Sequence, residues 1–144
     1  MTRKPTAWSV AVLAFALSGL AQDTVEPSKW LWMEVRRELQ SERGPKYFEE
    51  SVKDCLVPGG AREIDYFRGR LIAMRPETNP TELTLAVEKA DVPDALLRIE
   101  GTLKGTMPIG SILKFQGIVT AYKADPYLLT FVVDSKSLQG WTGK

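Results

Sequence analysis

The sequence predicts an α+β protein that is mainly β: a five-stranded antiparallel barrel preceded by a helical hairpin. Two observations carry that expectation. Apolar residues recur with helical spacing before about residue 60 and with an alternating, two-residue period after Ile64. Five successive alternating runs each have one apolar face, and a closed sheet hides such faces while leaving no exposed edge. The chain divides into residues 1–21 as an export signal, 22–60 as the helical hairpin and 61–144 as the barrel.

The N-terminus reads as an address. Arg3 and Lys4 precede an apolar run from Ala7 to Leu20, and Gly19 and Ala21 are small residues placed for cleavage before Gln22. The run of about 14 residues is short against the roughly 20 that a bilayer-spanning helix needs. A cleaved signal and a periplasmic or secreted location are therefore expected, with no stable membrane span after cleavage. No cysteine lies directly after the run to carry a lipid anchor. About 123 residues would remain, enough for one core that buries roughly two thirds of the unfolded chain's surface.

After a polar leader, QDTVEPS, Ser28 can cap a helix from about Lys29 to Ser41. Leu31, Val35 and Leu39 form its stripe with Trp32 beside them, while Trp30 and Met33 fall off it. Gly44-Pro45 ends this helix and opens a second, from about Lys46 to Leu56, with Phe48, Val52, Cys55 and Leu56 as its apolar face. Pro58-Gly59-Gly60 stops it. Cys55 is the sole cysteine, so the chain has no internal disulfide; the residue is expected to be a small buried hydrophobe, the alternative being a disulfide between chains.

The first strand is expected over 65–74, with Phe67, Leu71 and Ala73 on one face and Arg68 and Arg70 on the other. The second, 81–89, alternates Leu83, Leu85 and Val87 against polar positions. The third, 96–103, turns Leu97, Ile99 and Leu103 inward and Arg98 and Glu100 outward. The fourth, 112–122, turns Leu113, Phe115, Val119 and Ala121 inward. The fifth, 127–134, offers Leu129, Phe131 and Val133, and Asp125-Pro126 makes the corner between the last two. Gly69, Gly101 and Gly117 fall at inward positions, where glycine lets strands bend at barrel corners; the alternative is that they mark ordinary bulges, which would suit an open sandwich. Leu138 and Trp141 in the tail can close one end of the core.

RGRLIAM, TELTLAVE, PIGSILKFQGIVTAY and DPYLLTFVVD together resemble a five-stranded OB-type barrel. YFEESVKD followed by that barrel and closing on KADPYLLTFVVD resembles the C-terminal domain of uncharacterised exported bacterial proteins associated with tetratricopeptide repeats. The resemblance covers roughly residues 29–141. This chain departs from it in having no repeat array, and Lys104–Ser111 is too short for the helix that an OB barrel places between its third and fourth strands. The resemblance supplies no catalytic residues.

Chemistry is constrained mostly by what the composition lacks. The chain has no histidine and one cysteine, which argues against a zinc site and excludes Ser-His and Cys-His pairs. Glu49, Glu50, Asp54 and Glu77 have no calcium-loop spacing. No glycine-rich phosphate loop is present. No catalytic residue, metal or cofactor is assigned. Nineteen basic residues face 18 acidic ones, so no overall charge pulls the chain toward nucleic acid or anionic lipid.

These readings point to an exported, non-catalytic binding or interaction module. Its binding residues are expected on the outer barrel face, at Arg68, Arg70, Arg98, Lys114 and Tyr122, and on the first helix, at Trp30. Candidate partners are an envelope protein or polysaccharide. One alternative is binding of single-stranded nucleic acid or an oligosaccharide on the outer face, where basic and aromatic side chains would share a register. Glu88 and Glu100 would neutralise such a patch. Another alternative is a hydrolase of envelope polymers, for which Glu100 and Asp65 are undistinguished carboxylates.

Overall fold

The computed structural model describes residues 26–56 and 66–143. The export signal, Asp65 and the Pro58-Gly59-Gly60 stop lie outside the described residues. Within them the chain forms a seven-stranded mixed sheet with two short N-terminal helices.

Helix α1 spans Pro27–Leu39. Proline at its start costs no hydrogen bond, and its last turn carries Arg36 and Arg37, which complement the negative end of the helix dipole. Trp32, Val35 and Leu39 are buried. Glu26, rather than Ser28, occupies the cap position, and no side chain caps it. The second helix, α2, is only Gly44–Tyr47 and passes into a π turn at Phe48–Val52. A side chain at Gly44 would collide with the Leu39 carbonyl, so glycine permits the tight join. The expected face is cut short after Val52: Lys53 is extended and Asp54 left-handed, which leaves Cys55 half-buried and Leu56 exposed. Residues 54 and 55 dock instead on a strand, through Asp54 N–H to Val119 O (2.8 Å) and Val119 N–H to Cys55 O (3.1 Å).

The strands are β1 Phe67–Arg75, β2 Glu82–Ala86, β3 Ala95–Glu100, β4 Ile112–Phe115, β5 Ile118–Ala124, β6 Tyr127–Asp134 and β7 Leu138–Gln139. Their order is β5-β6-β3-β2-β1-β4-β7, with β5 and β7 outermost, so the hydrogen-bond ladder is not closed. β3 and β6 run parallel; the other neighbours are antiparallel. The expectation of five antiparallel strands is corrected on both counts. The expected fourth strand divides at Gln116-Gly117 because its halves have different partners, β1 for β4 and β6 for β5. At Gly117 a Cβ would lie 2.5 Å from the Val132 carbonyl oxygen and 2.7 Å from Val133 Cγ2, so the chain crosses β6 too closely for any side chain. The tail contributes the seventh strand, pairing Leu138 with Phe115.

Two bulges re-aim the strands. The β1–β2 register shifts between Leu71 and Ala73, and the β5–β6 register between Val119 and Ala121. One extra residue moves everything beyond it to the opposite face. Ala73 and Ala121, both expected inside, are exposed, while Met74 and Tyr122 turn toward the core.

Leu85, Phe115 and Phe131 meet in a single core, together with Leu71, Leu83, Leu97, Leu113, Leu129 and Val133. Helix and turn residues Trp32, Val35, Leu39, Phe48 and Val52 belong to the same cluster. Trp32 sits 5.2 Å edge-on from Phe67 and 5.9 Å stacked from Phe131. Trp141 packs at the margin and donates its Nε1–H to Lys104 O at 3.0 Å.

Candidate functional site

Two surfaces gather chemically distinctive side chains, one on α1 and one on the outer face of the sheet. Both depend on how α1 is fastened. Its inner fastening is polar as well as apolar. Asp94, buried just before β3, accepts hydrogen bonds from Trp32 Nε1 (3.0 Å), Val87 N (2.7 Å) and Glu88 N (3.2 Å). Burial raises its carboxyl above the usual range, against the pull of those three donors and of Arg36. Arg36 pairs with Glu88 at 3.1 Å and lies over the Tyr127 ring at 5.2 Å. Gln40 donates to Ala124 O at 2.8 Å. Burial also raises the Tyr127 hydroxyl, which has no hydrogen-bond partner among the described residues.

The outer side of α1 forms one wall of an open groove of about 590 Å³, lined by Trp30, Met33, Glu34, Arg36, Arg37, Gln40 and Glu88. Trp30 is 58% exposed and Met33 is exposed beside it. Around them the charges are already matched: Arg37 with Glu34 at 3.1 Å, and Arg36 with Glu88. An exposed indole and thioether framed by internally paired charges suit a neutral, partly apolar contact more than an ionic one.

The second surface lies on the outer face of β1 and β4. Arg68 stands opposite Lys114 in register, and Arg70 opposite Ile112. A shallow cleft of about 200 Å³ joins Arg68, Arg70 and Ile112 to Lys29 of α1 and Lys89 beyond β2. Arg68 pairs with Glu26 at 3.0 Å, and Glu88 is committed to Arg36.

Of the sequence-predicted residues, Arg68, Arg70 and Lys114 therefore come together. Arg98 does not join them. It pairs in register with Glu82 near the other end of β2, whereas Arg70 faces Ala86, a four-residue offset of roughly 13 Å along the strand. Tyr122 is not on this face either: the bulge before it turns its ring onto Phe48, 4.7 Å between centroids. Trp30 is exposed, but on the separate α1 groove. The outer face thus gathers cations without the aromatic platform that single-stranded nucleic acid calls for. Glu88 neutralises α1's Arg36 rather than a strand arginine. Lys29 and Lys89 were missed by sequence reasoning; they lie about 40 and 20 residues from Arg68, and no periodicity links them.

Among the described residues no group of three acidic or cysteine side chains gathers to hold a metal ion. No described helix is long and apolar enough to cross a membrane. Comparison with protein-family models, with curated proteins and with solved structures found no match.

Proposed function

We propose that this chain is an exported, non-catalytic binding module on an OB-like barrel, and that the outer face of α1 is its contact surface for an envelope protein. The barrel reading is supported by strand neighbours. β4 and β5 lie on opposite flanks of the strand order yet are separated by only Gln116 and Gly117, so one bent strand links both flanks. The parallel β3–β6 pair beside antiparallel neighbours fits that arrangement. α1, inserting Trp32 among Phe67, Tyr127 and Phe131, takes the plugging role that no helix between β3 and β4 performs here.

The single observation behind the binding surface is Trp30, a large indole left more than half exposed beside exposed Met33. Tryptophan and arginine are favoured anchors in protein interfaces, and removing an anchor costs about 2 kcal/mol or more of binding. A photo-crosslinker at position 30, expressed in cells, should yield a discrete adduct with an envelope protein. Trp30→Ala and Met33→Asp should abolish the complex on gel filtration while leaving stability within about 0.5 kcal/mol, as exposed positions do. Adducts only with glycan, or a complex unchanged by both substitutions, would refute the reading. Fractionation tests the address: protein mainly in the cytoplasm with residues 1–21 intact would overturn export.

A further inference from the structure

We infer that the outer face of β1 and β4 docks on an anionic phospholipid surface, with the Pro108–Ser111 turn as its apolar tip. The inference deepens the binding-module reading by naming the ligand of a second face, and it rests on that reading.

Five cations share the surface. Lys29, Arg68, Arg70 and Lys89 line one cleft, and Lys114 stands directly across from Arg68. Like charges directly opposite in a sheet destabilise it. In a chain whose charges nearly cancel overall, such clustering is a local asymmetry suited to a phosphate-bearing partner. Glu26 neutralises part of it through Arg68, and Glu88, which also lines the cleft, is held by Arg36.

Beside the cations are the apolar side chains that distinguish a lipid surface from a soluble polyanion. Ile112 is 47% exposed on the same face as Lys114, and Ile109 is 61% exposed at the tip of the adjoining turn. That turn is built to present it. Ser111 N–H donates to Pro108 O at 3.1 Å, and Gly110 has the positive φ of +97° that the turn's third position requires. Gly110 N–H to Leu71 O and Leu71 N–H to Ser111 O, both 2.8 Å, pin the turn to β1. Arg70 donates to Gly110 O at 3.3 Å, so a cation is tied to the turn that bears the apolar tip. The cations would meet headgroup phosphates while Ile109 and Ile112 enter the acyl boundary. The cleft has no aromatic lining for stacked bases.

The test is flotation of the full chain with phosphatidylcholine vesicles, with and without phosphatidylglycerol, at low and high salt. The apolar run at residues 7–20 is common to all variants, so differences between variants read the patch. Binding to the anionic vesicles should weaken with salt and fall about fivefold for each cation removed in Arg70→Gln and Lys114→Gln. Ile109→Ser with Ile112→Ser should lower it about tenfold or more, while retention on heparin stays unchanged. The inference is overturned if neither set of variants alters vesicle binding, or if heparin retains the protein and anionic vesicles do not. The Trp30 crosslink is read independently, so loss of lipid binding with that adduct intact removes this inference alone.

Discussion

Trp32 and Asp94 are 62 residues apart in the chain and share a buried hydrogen bond. Asp94→Asn replaces one accepting oxygen with an amide donor, so at least one of the N–H groups of Trp32, Val87 and Glu88 is left facing no acceptor. A buried donor without a partner costs about 1–3 kcal/mol, and chemical denaturation should show a loss of that size. Its pH dependence has a definite sign. The raised carboxyl binds protons more readily folded than unfolded, so its contribution to stability is fully present below the unfolded pKa of 3.8 and is lost as pH rises through the higher folded value. The gap between wild type and Asp94→Asn should therefore shrink from pH 3 toward neutrality; a gap that widens would show that the three donors outweigh burial. Tyr127 is the converse case. Its buried hydroxyl has no partner among the described residues, so Tyr127→Phe should leave stability unchanged or raise it by up to about 1 kcal/mol. A loss beyond that in a thermal melt would reveal a hidden partner.

At the scale of elements, the joint between β4 and β5 and the fastening of α1 decide the architecture. Gly117→Ala places a methyl against the Val132 carbonyl and the Val133 side chain. The backbone must yield, and a cost of about 1–3 kcal/mol is expected, as for overpacked cores; an unchanged melting temperature would mean that β5 simply swings outward. On α1, Trp30 and Trp32 are two residues apart and should behave oppositely. Trp32→Ala empties a fully buried site among three aromatic rings and should cost about 3–5 kcal/mol, whereas Trp30→Ala should affect binding alone. The β1–β4 pair offers a further contrast. Lys114→Thr removes the like-charge opposition to Arg68 and should stabilise the sheet by about 0.2–1 kcal/mol even as it weakens anion binding.

For the whole molecule, the consequence of a shared core is cooperativity. Trp32, Val35, Leu39, Phe48 and Val52 pack with residues from β1 to β7 in one cluster. The helices and sheet should therefore unfold together, as single domains of this size usually do. Far-UV circular dichroism and tryptophan fluorescence should give superimposable denaturation curves; a helical transition preceding the sheet's would mean that α1 and α2 are an accessory unit.

The alternation of Leu83 with Leu85, and of Leu129, Phe131 and Val133, determined by itself which side of β2 and β6 is dry, because successive side chains in a strand must point to opposite faces. The 3.6-residue recurrence of Val35 and Leu39 likewise fixed the buried stripe of α1. Tertiary structure alone decided where the pattern is interrupted. The bulges before Ala73 and Ala121 arise from pairing with the next strand, and the division at Gly117 and the parallel pairing of β3 with β6 from partners distant in the chain; local periodicity encodes neither. The same reason governs the sites. Arg68 and Arg70 were legible because they sit two apart on one strand, but Lys29 and Lys89 join them, and Arg98 and Tyr122 leave, only through register and twist across strands. A side chain's neighbours on a sheet are set by pairing, and pairing is settled only when the core closes around Trp32.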